Sequence, residues 1–96
     1  MSIIDNSLKR ILRYPGVIGY IIFNKEGIPI RTGLDNATAV KYVGLLNQLI
    51  MTTRSTIRDI DPQDDVKLLR IWTQKYEIMV ATEEEYLMIV IQKPTE

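Results

Sequence analysis

The sequence predicts an α/β fold of the α+β kind: a five-stranded, mostly antiparallel sheet with helices on both faces, in the order α-β-β-α-β-β-β. Three observations carry this expectation. Asn36 to Asp59 repeats apolar residues at helical spacing. Segments starting at Val17, Val66 and Tyr86 are apolar on both faces, which implies a sheet covered on both sides. Short turn signals join neighbouring segments, which makes most pairings antiparallel.

Ser2 to Tyr14 reads as a first helix. Ser2 and Asp5 have capping-box spacing, and Ile4, Leu8, Ile11 and Leu12 form an apolar face. Pro15-Gly16 stops it. Val17 to Asn24 is a strand, Lys25-Glu26-Gly27 a tight turn, and Ile28 to Thr32 the returning strand. Pro29 cannot donate to a ladder, so that strand belongs at an edge. Asp35 or Asn36 caps the long helix, and Pro62 forbids its continuation. Val66 to Thr73 is the third strand, with Leu68 and Trp72 on one face and Leu69 and Ile71 on the other. Tyr76 to Ala81 and Tyr86 to Gln92 follow, separated by the acidic turn Thr82 to Glu85.

The long helix carries more than a core needs. Ala39, Tyr42, Val43, Leu46, Leu49, Ile50 and Ile57 form one stripe. Val40, Gly44, Asn47 and Met51 form a second line on another side. That line is either plain exposed surface or a contact seam. Gly44 favours the seam, because glycine costs about 1 kcal/mol inside a helix and lets a neighbouring backbone come close. Two helices give a five-stranded sheet little cover, and the strand from Val66 is a candidate open edge. An open edge and a spare seam in one small chain both point to self-association, most simply with two-fold symmetry.

Ninety-six residues make one domain, residues 1–96. Twelve basic residues cancel twelve acidic ones, which argues against nucleic-acid binding. There is no cysteine, so a reducing compartment is expected. No apolar run approaches the roughly 20 residues of a membrane span, and the N-terminal residues lack a signal-peptide pattern. A soluble, cytosolic protein without a membrane partner is the expectation.

Chemistry is hard to place in this chain. Without histidine or cysteine it lacks the usual proton shuttle, thiol nucleophiles and most transition-metal ligands. No glycine-rich phosphate loop is present. Asp59, Asp61, Asp64 and Asp65 fail as a calcium loop, since Asp64 stands where glycine is needed and Arg70 where a bidentate acid is needed. They read instead as a helix exit, with Arg54 and Arg58 near enough to pair with them. Glu83 to Glu85 read as a solvated hairpin tip. No catalytic residue, metal ligand or cofactor is expected. Trp72 is either core or an interface anchor.

The run Arg54-Ser55-Thr56-Ile57-Arg58-Asp59-Ile60-Asp61-Pro62 resembles the signature of the roadblock family of dynein light chains. So do Asn24 to Ile30, Glu77 to Ala81 and the closing Ile89 to Glu96. The resemblance implies a homodimer, or a heterodimer with a paralogue, whose sheets join into one of ten strands with the long helices side by side. It implies binding to a dynein intermediate chain and a cytoplasmic, microtubule-associated place, in a cilium or flagellum for an axonemal motor. Carried over by residue, the dimer contact would use Val40, Gly44, Asn47 and Met51 on the helix, and Val66, Leu68, Arg70 and Trp72 on the joined edge. The wider superfamily implies an alternative, a scaffold or regulator of a small GTPase.

Overall fold

The computed structural model describes residues 9, 10, 13 and 15–93. Most of the expected first helix lies outside these residues, although Lys9 and Arg10 are helical. The other elements are β1 (Val17–Asn24), β2 (Pro29–Thr32), α1 (Asn36–Ile60), β3 (Leu68–Trp72), β4 (Glu77–Thr82) and β5 (Tyr86–Gln92). They build one five-stranded sheet in the order β2-β1-β5-β4-β3, and every pairing is antiparallel. The two edges are β2, which holds Pro29, and β3.

Turn chemistry sets the first hairpin. The Asn24 side chain accepts from the amides of Glu26 (3.1 Å) and Ile28 (2.9 Å), and Gly27 takes φ +83°, which a side chain would resist. Asp35 caps α1 by accepting from the Thr38 amide at 3.1 Å and the Thr38 hydroxyl at 2.7 Å. These bonds hold the Asp35 carboxyl below its ordinary pKa. At the other end the Asp61 amide donates to Ile57 O at 2.9 Å. The 25-residue helix is about 37 Å long and so crosses the whole domain.

Alternation in β1, β4 and β5 sorts the core onto two faces. Ile21, Phe23, Val80, Leu87, Ile89 and Ile91 pack with Ala39, Val43 and Ile50 of α1. Ile22, Tyr86, Met88 and Val90 form a second cluster on the opposite face, which is why β5 is buried on both sides. Leu34 lies against Gly19 so closely that a Cβ there would sit 2.9 Å from its side-chain methyl, so a larger residue would require Leu34 to shift.

Three expectations need correction. The third strand is Leu68–Trp72, not Val66 to Thr73. Val66 and Lys67 are held as a lead-in, their carbonyls accepting from the Thr82 hydroxyl and amide. The core stripe of α1 does not include Leu49, which is exposed, because it lies on the rim of the apolar arc. The second helix line is not uniform: Val40, Gly44 and Met51 are exposed, while Asn47 is half-buried and leans toward the Gly27 turn.

Candidate interaction surface

The open edge is built by β3 itself. Leu68, Arg70 and Trp72 face away from α1, and Leu69 and Ile71 face toward it, as their partners across β4 require. Leu68 is 50% exposed and Trp72 is 65% exposed. Trp72 is therefore not core. The Thr73 amide donates to Tyr76 O (2.8 Å) and the Thr82 amide to Lys67 O (3.0 Å). Antiparallel pairing alternates, so odd-numbered residues of β3 bond to β4, and the backbone groups of Leu68, Arg70 and Trp72 point outward. Among the described residues no strand pairs with this row of donors and acceptors, which is flanked by large apolar side chains.

Arg70 of that strand joins a charged cluster that spans β3, β4 and β5. Glu77, only 2% exposed, accepts from Arg70 Nε at 2.7 Å and from Arg70 Nη2. Its other oxygen accepts from Gln92 Nε2 at 2.6 Å. The Gln92 and Arg70 bonds hold the Glu77 carboxyl below its ordinary pKa, against the opposing effect of burial. A buried carboxylate needs such partners, because an unpaired one would be costly. Sequence reasoning missed Glu77 and Gln92. The one available signal was a charged residue opening a strand that is otherwise apolar on both faces.

Two apolar flanks run along α1. Val40, Gly44 and Met51 make one, and Leu45 and Leu49 make the other, about 140° around the axis. Lys41, Gln48 and Thr52 form a polar crest between them. The Leu45–Leu49 flank was not anticipated. At Gly44 an added Cβ would meet nothing within 4 Å, so the chain's own packing does not require glycine there.

Near the end of α1, Asp65 accepts from Arg54 Nε (2.9 Å) and Nη2 (2.8 Å) and from Arg58 Nη2 (2.8 Å). Asp61 and Asp64 instead accept from the amides of Gln63 and Asp65. The Arg54 bonds push the Asp65 carboxyl far below the usual carboxylate range. A carboxyl lowered in the folded state stabilises above its unfolded pKa of about 4, and that contribution fades as pH falls through the lower folded value. Asp65→Asn should therefore lower Tm near neutral pH, and the gap from wild type should narrow steadily below about pH 4. A gap that stays constant into strong acid would show that the fork contributes nothing through its charge.

Among the described residues no group of three or more acidic, histidine or cysteine side chains is placed to hold a metal. No described helix is long and apolar enough to cross a membrane. Among the described residues the surface offers a strand edge and two helix flanks. The fold is a small α+β domain, a five-stranded sheet crossed by one long helix. The chain belongs to the Roadblock/LC7 domain family, whose model matches residues 3–93. Its fold is similar to that of a Roadblock/LC7 domain from Streptomyces avermitilis, with a TM-score of 0.80 and 18% identity over 90% of this chain and 73% of that one. It is also similar to an MglB solved with a tetrameric arrangement (TM-score 0.77, 10% identity, 96% of this chain and 71% of that one). The gliding protein MglB of Thermus thermophilus is a further match (TM-score 0.74, 10% identity, 93% of this chain and 70% of that one). At these identities the likeness is one of fold.

Proposed function

We propose that this chain is a non-catalytic accessory subunit that works as a homodimer and grips a segment of another protein. The observation that carries the proposal is β3, an edge strand with outward backbone groups and an exposed tryptophan beside them. A second copy would satisfy those groups and cover Trp72 and Leu68. The tetrameric arrangement named for one MglB fits a fold that self-associates.

Two partner readings follow from different observations. The run Arg54 to Pro62, with its likeness to dynein light chains, favours a dynein intermediate chain as the gripped segment, and a cytoplasmic, microtubule-associated place. An amphipathic partner helix laid on an apolar surface of the dimer would be the mode of contact. The comparisons favour the second reading more than the first: the solved relatives include a gliding protein and a bacterial roadblock domain. In that reading the dimer holds the switch region of a small GTPase and contributes no chemistry of its own. Capture assays separate the two. Retention of purified dynein intermediate chain supports the motor subunit, and capture that depends on the bound nucleotide supports the GTPase scaffold. Binding to neither class would remove both.

The helix contact has its own test. Gly44→Arg and Met51→Glu are expected to shift the dimer toward monomer in sedimentation velocity while leaving the far-UV spectrum unchanged, since neither side chain is needed inside the chain. If both variants stay dimeric while Leu45→Glu dissociates, the seam belongs to the opposite flank of α1.

A further inference from the structure

The outward row on β3 has only three members, and they are self-complementary about the middle one. A two-fold axis normal to the sheet keeps each face on its own side, so facing residues must share a face. Centring that axis on Arg70 sets Leu68 against the second copy's Trp72 on one face and Leu69 against its Ile71 on the other. It also engages all three outward residues of each strand, giving six backbone hydrogen bonds by the alternation of narrow and wide pairs. Centring on Leu69 or Ile71 keeps only four of these within the strand and sets Arg70 against Leu68 or Trp72.

The favoured register has one difficulty: it brings Arg70 opposite Arg70. Like charges directly opposite destabilise a strand pair, and an inward-pointing charge on an edge strand normally blocks pairing. Here the guanidinium is turned across β4 onto Glu77, whose second oxygen is held by Gln92. We propose that Glu77 is a positioning residue for dimerisation: by drawing in and neutralising Arg70 it permits an antiparallel β3–β3 junction centred on Arg70. This rests on the dimer reading above and specifies its register and its charge control.

Two variant sets test it, and a chain without cysteine makes the first one clean. Arg70→Cys combined with Glu77→Gln removes both charges together and keeps Leu68 and Trp72. Facing residues of a bonded pair lie about 5.5 Å apart at Cα, within disulfide reach, so mild oxidation should link two copies covalently. Leu69→Cys and Ile71→Cys should not link, because each faces the other and its own twin is about 8 Å away. Glu77→Gln alone should raise the dimer Kd several-fold at low salt. Added salt or a further Arg70→Gln should restore it, which a merely structural loss would not do. Linking at position 69 or 71 instead of 70 would overturn the register. A Glu77→Gln dimer as tight as wild type at low salt, or a loss that neither salt nor Arg70→Gln repairs, would overturn the role of Glu77. A wild type that sediments as a monomer would overturn the dimer reading, and the register with it.

Discussion

Trp72→Ala is expected to convert the dimer to monomer at micromolar concentration without unfolding it. Trp72 is 65% exposed in the isolated chain, so the monomer loses little packing. In the proposed dimer it would lie against Leu68 of the second copy. A buried aromatic anchor is worth about 2 kcal/mol on truncation, and two-fold symmetry makes the contact twice. A loss of about 4 kcal/mol is about a thousandfold in Kd. Glu77 loses its Trp72 partner in this variant but keeps its bonds to Arg70 and Gln92. Sedimentation equilibrium measures the Kd, and thermal melting at a concentration where both proteins are monomeric checks the fold. An unchanged Kd would remove Trp72 from the interface.

Phe23→Ala is expected to have the largest effect on folding. Phe23 is wholly buried on the α1 face of the sheet, in the cluster with Val43, Ile50 and Ile89. Truncating a phenylalanine in such a place costs about 3–5 kcal/mol, through lost transfer energy and the cavity left behind. Domains of this size have about 5–15 kcal/mol in all, so much of the margin would go. Each kcal/mol lowers Tm by about 4–8 °C. Leu45→Ala makes a sharp control, since Leu45 is exposed and its loss should cost the monomer under about 0.5 kcal/mol. Urea melts of the two variants give the comparison directly. Equal losses would contradict the placement of the core.

Much of this fold is legible in the residues. β1 and β5 begin and end where the sequence places them, because Gly16, the Lys25–Gly27 turn and the acidic Glu83–Glu85 turn bracket largely apolar runs. The start and end of α1 are legible too, since Asp35 caps it and Pro62 bars its extension. Local signals fail where the answer depends on distant neighbours. Leu49 has the right spacing from Leu46 and Tyr42, yet spacing alone does not reveal the width of the buried arc. Val66 looks like strand, but a side chain sixteen residues away takes its carbonyl. Glu77 looks like a solvated strand start until β3 and β5 bring Arg70 and Gln92 beside it. Trp72 was undecidable from alternation, which gives a face but not what covers that face.

Sedimentation velocity of the unaltered chain across a concentration series tests the central claim most directly. The expected result is a species of twice the 11.1 kDa chain mass that dissociates on dilution. A folded species that holds at 11.1 kDa at every concentration would contradict it.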